Sequence, residues 1–282
     1  MDEKKQRQRI LVGTALAFLL FIDLLPYLWL LISSFRASND PFTNSVLPGQ
    51  LTLSNYANIF RNTNMLRPFF NSLVVAVGAT VITMILSLLA AYGFSRYYFK
   101  GREFLLSFLV NLRTFPALLL AIALYVMAVK AGLYNTYIPL ILANTMMNLP
   151  FAIWNVKTVI DGVPKDLEES AMVDGLSRSA VIWKIIVPVA TPGLAATAIY
   201  VFILTWNEYL FATTFMNSND MQLVTAVIAS AVTQFGVDYG WLMTTAMLAS
   251  IPAIIMFIAI QRFIVPREVS RAKKGIRRRL IC

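Results

Sequence analysis

The sequence predicts an all-α membrane protein of six transmembrane helices with both termini in the cytoplasm, and three observations carry that prediction. Hydrophobic residues fill 58% of the 282 positions and charged residues only 13%, a balance outside the range of soluble globular domains. The apolar residues gather in six runs, each close to the ~20 residues that cross about 30 Å of hydrocarbon. Lysine and arginine divide unequally between the loops: 19 lie in residues 1–9, 95–103, 157–184 and 262–282. Only 4 lie in residues 33–68, 130–136 and 213–240, and Arg113 falls inside a span. Six crossings place both termini on one side, and the excess of positive charge makes that side the cytoplasm.

The elements follow in order. Residues 1–9 are a polar, basic cytoplasmic start. Residues 10–32 form the first transmembrane helix, since no small-residue cleavage site follows a short apolar core. Asp23 and Pro26 interrupt that run, and an ionisable group at such depth faces protein or water. Residues 33–68 make an extracytoplasmic loop rich in Asn, Pro and Ser, within which LTLSNYANIF suits a short amphipathic helix. A transmembrane core then runs over residues 69–264. Its second span, 69–94, ends in AYGFSR, small residues that let helices approach closely. Arg96, Lys100 and Arg102 form a short basic loop. The third span, 104–128, carries Asn111, Arg113 and Pro116. A tight outer turn follows at 130–136, then the fourth span at 137–156. The cytoplasmic loop 157–188 leads to the fifth span, 189–212. An outer segment of mixed polarity, 213–240, precedes the sixth span, 241–264. The basic tail, 265–282, is attracted to anionic lipid at about 1 kcal/mol per basic residue.

Composition narrows the function. There is no histidine, and the single cysteine is Cys282, so an intrachain disulfide is impossible and a zinc or haem site is disfavoured. A membrane-embedded enzyme would need clustered His or Cys, or paired carboxylates within the spans. An ion-coupled secondary transporter or channel would need coupling-ion acids or a repeated pair of broken helices. The sequence offers neither set. No G-x-x-x-x-G-K-[ST] occurs, so the chain has no phosphate-binding loop, and no cofactor is expected in it. The net charge of +10 is spread over the ends of the spans, an arrangement that orients a membrane protein rather than binding nucleic acid.

The richest loop is 166–193, DLEESAMVDGLSRSAVIWKIIVPVATPG. It reads as helix, sharp turn, helix. Pro164 suits a first helical turn, where a missing N–H costs nothing. Asp166, Glu168 and Glu169 place negative charge at the positive end of the helix dipole. Val163, Leu167 and Ala171 share a face by spacing, with Glu168 and Glu169 off it. Gly175 can take the left-handed conformation that ends a helix, and Pro188 marks where the next membrane helix is entered or bent. Such a loop either solvates the membrane face or protrudes to dock into a cleft on a soluble partner.

Glu169, Ala171, Gly175, Ile185 and Pro188 match the pattern E-A-A-x3-G-x9-I-x-L-P, with Ser170 and Val187 in place of one Ala and the Leu. LPFAIW lies before this loop and WNEYLF after it. By these motifs the chain resembles, from about residue 33 to 262, the permease subunits of maltose-type carbohydrate importers of the ATP-binding-cassette (ABC) class. The resemblance implies the type I ABC importer permease fold in a bacterial or archaeal inner membrane. It also implies a transport subunit rather than an enzyme, forming half of a heterodimer with a second permease. The partners would be two ATPase subunits that bind ATP and Mg, and an extracytoplasmic solute-binding protein. The cargo would be a sugar of the oligosaccharide, disaccharide or polyol class.

The site residues implied are of three kinds. Leu167, Glu168, Glu169, Ser170, Ala171, Asp174, Gly175, Ile185 and Pro188 would form the ATPase-coupling element, with Glu169 pairing to a basic residue of the ATPase. Asn111, Arg113, Asn207 and Glu208 are candidates for the translocation pathway. Counted from Val189, Glu208 lies about 28 Å along a helix, toward the outer mouth, where Trp206 and Tyr209 would equally suit an interfacial aromatic belt. Arg113 could instead make an ion pair, with Asp23 as one candidate, and Asn111 and Asn148 could join helices. Met216, Asn217, Asn219, Asp220 and Gln222 would form a loop tip that contacts the binding protein, or else an ordinary surface loop. In the tail, Arg267 and Arg271 replace glycines of the family's usual ending, while Ala272, Lys274 and Gly275 fit it.

Overall fold

The computed structural model describes residues 3–37, 49–62, 65–233, 236, 237 and 239–264; the basic tail lies outside them. Five helices are long and apolar enough to cross a membrane: Ile10–Ser34, Leu66–Arg96, Tyr137–Asp161, Arg178–Trp206 and Tyr239–Ala259. A bent pair, Arg102–Leu112 with Ala117–Lys130, passes the same test when its two helices are taken together. In order the helices are α1 (Glu3–Ser34), α2 (Ser54–Asn62), α3 (Leu66–Arg96), α4 (Arg102–Leu112), α5 (Ala117–Lys130) and α6 (Tyr137–Asp161). Then come α7 (Lys165–Val173), α8 (Arg178–Val181), a π turn at Ile182–Ile186, α9 (Val187–Trp206), α10 (Leu210–Phe215), α11 (Val224–Ala229) and α12 (Tyr239–Ile264). A two-stranded antiparallel hairpin, Val232–Thr233 with Gly236–Val237, precedes α12. The chain forms two compact units, Met1–Leu66 with Val227–Ile251 and Arg67–Ala226 with Pro252–Cys282.

The first unit is pinned by one buried asparagine. Asn55, on α2, donates to Arg36 O at 2.7 Å and Ser34 O at 3.4 Å, just past the end of α1. Carbonyls there have no intrahelical partner and need such a donor. Thr244 Oγ1 donates to the same Ser34 carbonyl at 3.0 Å, and Ser34 Oγ lies 2.7 Å from Tyr56 OH. The amphipathic helix expected within LTLSNYANIF is therefore present, with Ile59 and Asn55 buried.

The second unit is built around α3, α6 and α9. Gly193 of α9 lies so close to α6 that an added Cβ would stand 2.4 Å from Val159 Cγ2. Between these helices Asn148 donates to Thr205 Oγ1 at 3.3 Å, the interhelical use expected of it, and within α6 it donates to Asn144 O at 2.9 Å. One apolar cluster joins Leu88, Tyr92, Val156, Ile160, Val163, Ala171 and Ile186. Another joins Val75, Ala121, Leu140, Phe211, Phe215 and Met216. These packed contacts supply the cohesion that lipid, as apolar as the side chains, cannot.

Two spans differ from expectation. The third is not one helix over 104–128: α4 stops at Leu112, α5 starts at Ala117, and the two are bent by 89°. Pro116 lacks an N–H and disfavours helix in the residue before it, and its own ψ of 117° is extended. The fifth span does not run from 189 to 212. Its helix begins at Arg178, passes through the π turn and ends at Trp206. Pro188 is accommodated inside that helix rather than beginning it: its ring would press on the carbonyl of Lys184, and the widened π turn contains that residue.

Candidate functional site

The loop expected over 157–188 is shorter, because 157–161 belong to α6 and 178–188 to the long helix Arg178–Trp206; residues 162–177 between them fold as the pattern asks, with one inversion. α7 begins after Pro164, which caps it, and ends in a left-handed Gly175 with φ +90°. Leu176 N donates to Ala171 O at 3.1 Å and Gly175 N to Met172 O at 3.0 Å. This 6→1 and 5→2 pairing is the Schellman turn, which satisfies carbonyls at the helix end. Ser177 then caps α8, accepting from Ala180 N at 3.4 Å.

The inversion concerns which face is buried. Glu168 was expected off the apolar face, yet it is only 4% exposed, while Leu167 is 45% exposed. The physical reason is Arg96, at the end of α3. Its Nε donates to Glu168 Oε1 at 2.6 Å, and Tyr92 OH donates to Glu168 Oε2 at 3.1 Å. A paired, hydrogen-bonded carboxylate can be buried where a lone one cannot. Arg96 Nη2 also donates to Ile160 O at 3.1 Å and Val163 O at 3.0 Å, carbonyls at and just past the end of α6. Nη1 reaches Ser95 Oγ at 2.9 Å, and Ser95 in turn donates to Asp161.

With Glu168 turned inward, the exposed residues of α7 are Lys165, Asp166, Leu167, Glu169, Ser170, Met172 and Val173. Ser170 Oγ donates to its own helix at Asp166 O. Ala171 is buried, Asp174 is the exposed C-cap, Ile185 packs partly into the apolar cluster and Pro188 is exposed. Beside α7 lies a cleft of about 330 Å³, lined by Tyr92, Arg96, Tyr97, Lys165, Glu169 and Arg178 among others. Arg178 lies over the Tyr97 ring at 5.4 Å and bonds its hydroxyl.

The pathway candidates are not assembled into one cluster. Asn111 is exposed and donates to Ser107 O of its own helix. Arg113, also exposed, sits 5.0 Å from the centre of the Phe151 ring. Beside it an apolar hollow of about 290 Å³ is lined by Leu112, Phe115, Met146, Met147 and Pro150. Asn207 Nδ2 donates to Ile203 O at 2.8 Å.

Glu208 follows directly on the end of α9 at Trp206. Thr205 is bonded to Asn148, which lies about 16 Å into α6 from Tyr137, so the break at residues 207–209 sits deep in the span. At that depth a lone carboxylate would be costly. Glu208 instead accepts from Phe211 N at 2.6 Å and Ala212 N at 3.0 Å, capping α10.

The loop that continues from α10 is clamped by two asparagines. Asn135 Oδ1 accepts from Asn217 N at 3.1 Å and Ser218 N at 3.2 Å. Asn71 Nδ2 donates to Asp220 O and Gln222 O, each at 2.9 Å, while Tyr137 OH donates to Asn71 Oδ1 at 2.7 Å. Met216, expected at the tip, is buried in the apolar cluster, and Gln222 is partly buried. The exposed tip is Asn217, Asn219 and Asp220. Arg96, Tyr92, Asn71 and Asn135 all escaped sequence reasoning. Arg96 was read as loop charge, though one arginine directly at the end of an apolar run was the available signal.

Long apolar helices, with the short α7 tied to α3 by a buried ion pair, are the frame of a membrane component. Residues 83–269 match the family of binding-protein-dependent transport system inner membrane components, and the chain belongs to that family. It is 34% identical over 281 residues to the inner membrane ABC transporter permease protein YcjP of Escherichia coli strain K12, covering 96% of this chain and 99% of the relative. It is 32% identical to the trehalose/maltose transport system permease protein MalG of Thermococcus litoralis, covering 97% and 99%. It is 32% identical to the diacetylchitobiose uptake system permease protein DasC of Streptomyces coelicolor, covering 92% and 95%. In fold it is similar to a chain of a bacterial ABC transporter involved in the import of the acidic polysaccharide alginate, with a TM-score of 0.75, 16% identity and coverage of 93% and 98%.

Proposed function

We propose that this chain is one half of the permease pair of an ATP-driven, binding-protein-dependent sugar importer, and that α7 is its coupling element. The observation that carries the second part is the division of α7 into two faces. Glu168 and Ala171 anchor it inward, leaving Leu167, Glu169 and the 87% exposed Val173 to meet a partner. The sugar class is supported by relatives named for trehalose/maltose, lactose and diacetylchitobiose transport. The 19-to-4 division of basic residues supports an orientation with α7 and both termini in the cytoplasm.

Two ATPase subunits bind ATP and Mg, since this chain lacks a phosphate loop; a second permease completes the pathway, and an extracytoplasmic protein delivers the sugar. Closure of the ATPase pair pushes α7, and the spans attached to it rotate so that the pathway opens to alternate sides. The two states must differ in their contacts for such a push to move the equilibrium.

The test is sugar uptake beside ATP hydrolysis in proteoliposomes holding the second permease, the ATPases and the binding protein. Glu169→Lys is expected to abolish uptake, and a cysteine at Val173 to cross-link to the ATPase. Wild-type uptake by Glu169→Lys together with no cross-link overturns the reading.

A further inference from the structure

We infer that Arg96 is the positioning residue that makes α7 move as one body with α3 and α6. The inference rests on the reading of α7 as the coupling helix, and deepens it. α7 joins α6 through a connection of only three residues, Gly162 to Pro164, and its apolar attachment to the bundle is slight: Val163, Ala171 and Leu176. Such a helix could swing when pushed, and the push would be lost.

Arg96 prevents the swing because its planar guanidinium fixes several directions at once. Nε and Nη2 hold Glu168 Oε1 at 2.6 and 2.5 Å, Nη2 holds the carbonyls of Ile160 and Val163, and Nη1 holds Ser95. The other carboxylate oxygen of Glu168 is held by Tyr92. One side chain on α3 therefore bonds α7, the end of α6 and the turn between them. Lys157 and Ser95 continue the network on α6 by sharing Asp161 between them.

A merely structural reading does not account for this choice of residues. The pair is buried, its side chains 10% and 5% exposed, and a buried ion pair gives little or no net stability over well-packed apolar side chains. What the pair provides and an apolar contact does not is a fixed direction. Lysine, a point charge on a flexible stem, could neutralise Glu168 but could not hold the other three acceptors in one plane.

The experiment uses the full importer in proteoliposomes and reads ATP hydrolysed per sugar imported, together with the thermal unfolding midpoint in detergent. Two forms are compared with wild type: Arg96→Lys, and the double replacement Arg96→Met with Glu168→Leu, which removes the charges and keeps the volume. Both are expected to assemble, with the double form near the wild-type midpoint. Both are expected to raise the ATP-to-sugar ratio by at least about five-fold, the low end of ordinary coupling free energies.

A double form that assembles and transports at the wild-type ratio overturns the inference, because packing alone would then suffice. So does failure of both forms to fold, which would make Arg96 a folding residue. The cross-link from a cysteine at Val173 separates the two levels. If it forms in wild type and in Arg96→Lys while the ratio rises, the docking stands and the rigidity is what was lost. If it never forms in wild type, it is the coupling-helix reading that fails.

Discussion

Val159 occupies the place where a side chain at residue 193 would stand: a Cβ built on Gly193 falls 2.4 Å from Val159 Cγ2 and 2.7 Å from Cγ1. Valine is stiff at χ1, so it cannot swing aside. The contact sets the spacing of α6 and α9, the two helices whose ends lead into α7 and into the break at residues 207–209.

Gly193→Ala is accordingly expected to destabilise the bundle by about 1–3 kcal/mol, the usual cost of overpacking. A thermal unfolding midpoint in detergent measures it. Adding Val159→Ala should recover most of the loss. Gly78→Ala should cost less, since its Cβ would meet only the flexible end of Ile141 at 3.0 Å.

Gly175→Ala tests the Schellman turn. Holding an alanine at φ +90° costs about 1–2 kcal/mol. The expected effect is faster hydrogen exchange at Gly175's replacement and Leu176, whose N–H groups close the turn, with weaker cross-linking of α7 to the ATPase.

Glu208→Ala removes both acceptors from Phe211 N and Ala212 N. Loss of such a cap costs about 0.5–2 kcal/mol, and leaves two backbone donors unpaired deep in a span. Uptake should fall sharply, and Glu208→Gln, which keeps one acceptor oxygen, should retain more of it. Equal activity in all three forms would show that the cap has no part in transport.

Asn71→Ala removes two hydrogen bonds from the carbonyls of Asp220 and Gln222. At about 0.5–1.5 kcal/mol each, their loss should speed proteolytic cleavage within residues 217–220 roughly ten-fold. Asn135→Ala, which frees the N–H groups of Asn217 and Ser218, should do the same, and stimulation of the ATPase by the binding protein should fall with it.

What the sequence made legible were the features written in local pattern. Five of the six apolar runs form single long helices, because span length is a hydropathy property, and the remaining run forms the bent pair. The αL turn at Gly175 was readable because only glycine adopts that conformation freely. The breaks were less legible. Pro116 was visible, but the apolar run continues through it, and residues 207–209 contain no proline at all. The inward turn of Glu168 was hidden for a different reason. Its partner lies 72 residues away, and a helical wheel sorts a carboxylate to the solvent side whenever the neutralising arginine is out of view. Met216 was misplaced likewise, because a polar neighbourhood in sequence, NSND, conceals a side chain packed against Phe215 and Leu223.

The π turn at Ile182–Ile186 holds one residue more than an ordinary turn and takes up that residue as a local bulge, so the helix beyond it keeps nearly the phase that an uninterrupted α-helix would give. Ile182 and Ile186 are buried while Trp183 and Lys184 are exposed, and eleven residues after Ile182 Gly193 still meets Val159. Loss of one residue inside the turn is therefore expected to be absorbed, whereas loss of one between Val187 and Gly193, in regular helix, would swing Gly193 away from Val159 by about 100°.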